Sequence, residues 1–169
     1  MKILNIIRHA KSIQNSSIKN DIYRTITKIG KIDADFLNRY LVQYNFNKHK
    51  ILCSTSLRTK QTLECFKYSL NNESKIVYYH DLYLANFKEI IKTISLESKT
   101  SMLTIVGHNP GVSDLLSYLS GNFSLDDMPT SSMAQLEFSK RNKTGLHESS
   151  AKINFYIQSK DNSIINLLT

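Results

Sequence analysis

Three short segments hold the side chains of this sequence best suited to chemistry. They are Arg8-His9-Ala10-Lys11-Ser12, Ser54-Thr55-Ser56-Leu57-Arg58 and Val106-Gly107-His108-Asn109-Pro110-Gly111. Arginine presents a planar fork of donors that matches phosphate oxygens, and a neutral imidazole can donate, accept or attack. A helix opening after Asn109-Pro110-Gly111 would add backbone N–H groups and positive dipole character. Asp/Glu pairs are missing beside these residues, and the histidines lack the spacing of metal ligands. The chemistry suggested is an anion site, such as one for a phosphoryl group, rather than a metal site. Such a group carries roughly −1.5 to −2 charges, and each charge-assisted hydrogen bond to it contributes about 1.5–3 kcal/mol. A lone histidine or arginine is more often structural or a surface cation. Here two of only five arginines (Arg8, Arg24, Arg39, Arg58 and Arg141) fall inside the three segments.

Each segment must be carried to a common rim. Ile3 to Ile7, Ile51 to Cys53, Ile76 to Tyr79 and Met102 to Val106 read as short buried strands. Between and after them come helical patterns over Thr27 to Tyr44, Leu57 to Leu70, Phe87 to Leu96 and Val112 to Leu119. In the first helix the apolar residues Ile29, Ile32, Phe36, Leu37, Tyr40, Leu41 and Tyr44 are expected to form the buried face. Met133 to Phe138 and Ile153 to Gln158 read as two further strands with no helix between them. The alternation predicts an α/β three-layer sandwich, a mostly parallel central sheet with helices on both faces. The last strands form an antiparallel edge near the C-terminus. Residues 1–169 are expected to form a single domain. In such sheets ligands bind beyond the carboxyl ends of the strands, which is where all three segments fall.

Composition narrows the classes. With 169 residues and 41% hydrophobic content, the chain can bury one substantial core. Stretches of ~18 apolar residues, as a membrane span needs, are absent, and a secretory h-region is missing at the start, so a cytoplasmic location is expected. Cys53 and Cys65 are too few for a disulfide framework. The cysteine-phosphatase loop is also a poor match, because only four residues separate Cys53 from Arg58 where five are needed. The 22 Lys+Arg against 14 Asp+Glu give a formal charge of +8. The basic residues are dispersed, with no interleaved nucleic-acid motif.

Taken together, Arg8-His9-Ala10-Lys11-Ser12, Ser54-x-x-x-Arg58 with Gln61-Thr62, Gly107-His108-Asn109-Pro110-Gly111 and Met128-Pro129-Thr130 resemble the histidine phosphatase (phosphoglycerate mutase-like) superfamily. Within it they look like the SixA-type phosphohistidine phosphatase branch. The resemblance implies His9 as the nucleophile that is transiently phosphorylated. It implies Arg8, Arg58 and His108 as the ring around the phosphoryl oxygens, water as the second attacker, and neither metal nor cofactor. Asn15 would be a phosphate-contacting amide, with Ser54 and Asn109 as supporting polar groups of the binding site.

One departure bears on substrate. Superfamily members that cleave phosphoesters commonly use an acidic residue to protonate the leaving alkoxide. Here Asn109 follows His108, and Asp81 is a weak match for the other acidic position. General acid assistance is worth about 10²–10⁴-fold to an alkoxide, whereas imidazole, with a conjugate acid of pKa about 6.5, leaves without it. The expected activity is therefore removal of phosphoryl groups from phosphohistidine on proteins. Its partner would be a phosphorelay or phosphocarrier protein, the enzyme would be a monomer, and neither nucleic acid nor membrane would be involved. A phosphomonoesterase acting on small molecules or on Ser/Thr phosphates, and a non-catalytic phosphate-binding module, remain open alternatives at this stage.

Overall fold

A computed structural model of the chain describes residues 1–14, 20–44, 46–70, 73–97, 100–125, 127–139 and 146–168. The element order is β1 (Ile3–Arg8), α1 (Lys28–Leu41), β2 (Lys50–Ser54), α2 (Leu57–Cys65), β3 (Lys75–Tyr79), α3 (Phe87–Leu96), β4 (Met102–Gly107), α4 (Gly111–Ser120), β5 (Ser132–Phe138), β6 (Ala151–Lys160) and β7 (Ser163–Asn166). The strands form one sheet in the order β3-β2-β4-β1-β5-β6-β7. The pairings β3–β2, β2–β4 and β4–β1 are parallel, while β1–β5, β5–β6 and β6–β7 are antiparallel. The antiparallel part is thus half of the pairings, a larger share than the single edge pair the sequence suggested.

Residue alternation along the strands feeds two cores. Leu4, Ile6, Leu52, Leu103, Ile105, Ala134 and Leu136 face α3 and α4. Ile7, Ile51, Cys53, Val106, Met133 and Phe155 face α1 and α2. These are the three layers of an α/β sandwich. Asn5, fully buried, is accommodated by hydrogen bonds to Thr104 and from Gln135. Thr104 also meets His49, whose other ring nitrogen faces the Asn47 carbonyl. That histidine is a satisfied core residue.

Three local expectations differ from the structure. First, α1 buries only part of the expected face: Leu37 and Leu41 are buried as expected, but with Gly30, Asp33, Ala34 and Asn38 beside them. Ile29 and Ile32 are 54% and 47% exposed, and Tyr40 and Tyr44 lie outward too. The reason is steric. A Cβ on Gly30 would stand 2.3 Å from the Lys11 carbonyl oxygen, so the helix approaches the backbone of the first segment through its smallest residue. Asn38 is drawn inward because its side chain accepts the Ser69 backbone N–H. Second, α2 stops at Cys65 instead of Leu70, where the Phe66 N–H bonds back to Leu63. Third, β7 follows a tight turn through Asp161 and Asn162, both at positive φ (51° and 56°). These are residue types that tolerate that region.

Candidate active site

The strand order sets β2, β4 and β1 side by side and parallel, so their carboxyl ends lie together. Arg8 ends β1, His9 follows it, Ser54 ends β2, and His108 follows β4. Arg58 reaches the same point from the first turn of α2, which Ser56 caps by accepting the Thr59 N–H. A cleft of about 510 Å³ opens there, lined by Arg8, His9, Lys11, Arg24, Arg58 and His108 among others. Ile13 and Leu84, 39% and 52% exposed, stand at its rim.

His9 is held in one protonation form by its neighbours. Its Nδ1 lies 2.7 Å from the Ala10 carbonyl oxygen, which can only accept, so Nδ1 carries the proton. Nε2 is left with its lone pair, and the Arg58 Nε–H donates to it at 3.2 Å. Burial pushes the His9 pKa down to about 4; the Ala10 contact, next in weight, opposes it, and the charges of Arg58 and Arg8 add to the lowering. The ring is therefore neutral at pH 7. Arg58 is itself buried, its side chain 1% exposed.

His108 lies beside it, ring centroids 5.1 Å apart. Ser54 Oγ, within 2.9 Å of His108 Nε2, accepts the Ser56 N–H and has its own proton free to donate to the ring. With the hydroxyl donating, the ring proton sits on His108 Nδ1, a nitrogen that is buried and unpartnered. Burial, with His9 and Arg58 next in weight, pushes the His108 pKa down to about 2. Arg8 Nε is likewise buried without a partner. Its Nη1 donates to the Met128 carbonyl, which also accepts from Asn109 Nδ2 at 3.0 Å. Burial lowers the Arg8 pKa, with Asp127 opposing. Two orphaned nitrogens on residues lining one basic cleft are what an incoming oxyanion would satisfy.

The other sequence-marked residues support this pair of rings. Thr62 Oγ1 accepts the Ala10 N–H and donates to the Arg58 carbonyl, tying α2 to the first segment. Gln61 accepts the Ile26 N–H. Met128 takes its place because its N–H reaches Ser113, which in turn donates to Asn109. Ser54 thus stands behind His108, while Asn109, on the cleft itself, shares the Met128 carbonyl with Arg8. Asn15 lies outside the described residues. Asp81 is exposed and does not line the cleft. Cys53 packs at the strand end, and burial pushes its thiol up to about 12, so no thiolate nucleophile forms.

The first residues of α4 are not part of the cleft lining, although the two residues just before Pro110 are. The Val112 N–H bonds to the His108 carbonyl and the Asp114 N–H to Pro110. Gly111 abuts the Ala85 carbonyl, 1.9 Å from where a Cβ would stand. The cleft lining from this segment is His108 and Asn109.

Sequence reasoning missed Asp21, Tyr83 and Arg24. Asp21 Oδ2 accepts from Arg58 Nη2 at 2.9 Å and from the Tyr83 hydroxyl at 2.6 Å, while Arg24 Nε stands 2.8 Å from Oδ1. Arg24 was visible as one of the few arginines, spaced i, i+3 from Asp21. Tyr83 carried no signal, since its place depends on how the turn after β3 meets the turn before α1. Among the described residues, groups of three or more His, Cys, Asp or Glu that could hold a metal ion are absent.

Comparison with known proteins agrees with this geometry. The class of structure is the histidine phosphatase fold, α/β with two histidines and two arginines at the strand ends. Within that class the chain resembles SixA proteins. It superposes on a protein assigned as the phosphohistidine phosphatase SixA of Agrobacterium tumefaciens with a TM-score of 0.75 and 25% identity, covering 81% of this chain and 92% of that one. A protein histidine phosphatase SixA complexed with tungstate gives 0.76 and 19%, covering 93% and 96%. The α-ribazole phosphatase of Shigella flexneri gives 0.68 and 13%, covering 95% and 97%. No protein-family model matches the chain, and no curated protein matches it significantly.

Proposed function

We propose that this protein is a histidine-type phosphatase that removes phosphoryl groups from phosphohistidine on proteins, through a phospho-His9 intermediate. The observation that carries the reading is the state of His9: neutral, with its proton fixed on Nδ1 by Ala10 and its Nε2 lone pair facing the basic cleft. When a phosphoryl oxygen enters, it is a better acceptor for the Arg58 Nε–H than a neutral ring nitrogen. The lone pair is released by that exchange. Nε2 then attacks phosphorus in line while the bond to the substrate nitrogen breaks, and its electron pair returns to the substrate ring. If the substrate's other ring nitrogen is protonated, neutral imidazole departs without an external acid. Arg8, Arg58 and the His108 Nδ1–H meet the charge on the phosphoryl oxygens.

In the second step water attacks phospho-His9. The P–N bond electrons return to Nε2, the Nδ1–H is already in place, and inorganic phosphate leaves. His9 is thus equipped as a leaving group by the contact that equips it as a nucleophile.

The preference for a P–N bond rests on the lining. Among the described residues that line the cleft none is Asp or Glu, and an alkoxide leaving group benefits from such an acid by about 10²–10⁴-fold. The exposed apolar rim residues Ile13 and Leu84 suit the surface of a protein substrate, such as a phosphorelay or phosphocarrier protein. A cytoplasmic setting fits such a partner, and no helix among the described residues is long and apolar enough to cross a membrane. The test is a panel of substrates at equal concentration: a phosphohistidine-bearing carrier protein, phosphoserine and a sugar phosphate. The carrier protein should turn over fastest by orders of magnitude. Faster release from either ester would reject the phosphohistidine assignment.

A further inference from the structure

Asp21 lies in a short 3₁₀ turn, Asp21–Tyr23, opened by Asn20, whose side chain accepts the Ile22 N–H. It belongs to none of the sequence motifs. Yet it makes two contacts to Arg58: its backbone carbonyl accepts from Nη1 and its carboxylate from Nη2, both at 2.9 Å. Arg58 is thereby gripped at both terminal nitrogens while its Nε–H remains on His9. The Tyr83 hydroxyl fixes the same carboxylate oxygen, and the Tyr83 ring lies under the guanidinium at 5.8 Å. The other carboxylate oxygen is taken by Arg24, which also lines the cleft. Asp21 is therefore the hub that joins two cleft cations to the turn carrying Tyr83.

Its chemistry excludes one role. Partial burial alone would raise its pKa, but the hydrogen bond from Tyr83 and the Arg58 and Arg24 cations hold it below the ordinary carboxylate range. An ionised carboxylate accepts only, so Asp21 does not supply the missing general acid.

We propose that Asp21 is the positioning residue of the cleft. Its carbonyl and carboxylate fix the plane of the Arg58 guanidinium, so that Nε–H can pass from His9 Nε2 to a phosphoryl oxygen by a small shift instead of a swing. This rests on the reading of His9 as nucleophile. Tyr83 is the second support, locking the carboxylate rotamer.

The variants that separate geometry from charge are Asp21→Glu, which keeps the charge but displaces it by one methylene, Asp21→Asn, which keeps the shape, and Asp21→Ala. Tyr83→Phe removes one support and leaves the ion pair. The first readout is phosphorylation of His9 by phosphoramidate, a small P–N donor, with kcat and KM resolved. The second is the ¹⁵N resonance of His9 Nε2, with and without tungstate. In Asp21→Ala and Asp21→Glu kcat should fall by up to about 10²-fold, the scale of an ångström-level misplacement, with KM moving far less. Asp21→Asn and Tyr83→Phe should fall in between. The Nε2 resonance should move in both Asp21→Glu and Asp21→Ala as the Arg58 hydrogen bond loosens. Wild-type kcat in those two variants, or an unmoved Nε2 resonance, overturns the proposal. A wild type that never phosphorylates His9 defeats the nucleophile reading instead, and the resonance and tungstate affinity then decide the place of Asp21 alone.

Discussion

His9 and His108 share a burial that keeps both rings neutral, and their neighbours give them opposite tasks. Ala10 accepts from His9 and leaves a lone pair on Nε2, whereas the Ser54 hydroxyl occupies Nε2 of His108 and leaves its Nδ1 unpartnered. The four residues at the centre were legible in the sequence because arginine and histidine at strand ends have a chemical meaning independent of the rest of the chain. Asp21 and Tyr83 were not, because their meaning comes from contacts 37 and 62 residues apart. One expectation belongs to this scale. In the free protein the His9 imidazole carbon resonances should titrate with a midpoint near 4, well below the ordinary value near 6.5. A midpoint at the ordinary value would mean that the ring is solvated and the lone pair is not held as described.

Elements position these side chains through close backbone approach. The turn from Lys11 to Ile13 lies against the strand-like stretch 25–27, with Thr27 N–H on the Lys11 carbonyl and Ile13 N–H on Thr25. Helix α1 then meets that turn at Gly30. This is why the helix buries Gly30 and Ala34 and leaves Ile29 and Ile32 outside, although the apolar spacing alone would bury those two isoleucines. Hydrophobic period identifies a helix, but it does not register that a neighbouring backbone demands a small residue. Strand β7 was missed for a related reason. Its signal was the turn pair Asp161-Asn162 and not an apolar run. Gly30→Ala should therefore cost roughly 1–3 kcal/mol, the range for overpacking, and lower phosphatase activity by displacing the Lys11 turn beside His9. Thermal denaturation and turnover on the carrier protein measure both. A variant with unchanged Tm and activity would show that α1 does not set the position of that turn.

At the scale of the whole molecule, the alternation of strands and helices announced the sandwich, and the two cores on either side of the sheet follow from residue alternation along each strand. The even division between parallel and antiparallel pairings was less visible, since an antiparallel extension needs only short hairpin connections. The formal charge of +8 also resolves in part: Arg8, Arg24, Arg58 and Lys11 line one cleft. Stability should follow pH through the buried histidines. Burial lowers the pKa of His9, His49 and His108 in the folded chain. The unfolded chain therefore binds more protons than the folded one below the ordinary histidine range. Stability falls as pH drops through about 6.5, and His9 stops contributing to the loss once the folded form also protonates, near 4. Denaturant midpoints between pH 7.5 and 4.5 should decline, beyond any carboxylate contribution, and His49→Gln should reduce the slope. A flat profile across that window would contradict the neutral, buried state of these rings.

The central claim is that His9 Nε2 takes the phosphoryl group. The most direct measurement is rapid acid-free quench of the protein with a phosphohistidine carrier protein, followed by phosphosite mapping and ³¹P NMR. The expected result is a transient acid-labile phosphate on His9 Nε2 that decays to inorganic phosphate, with no turnover in His9→Ala. Phosphate found on another residue, or a His9→Ala protein that turns over as fast as the wild type, would contradict the account.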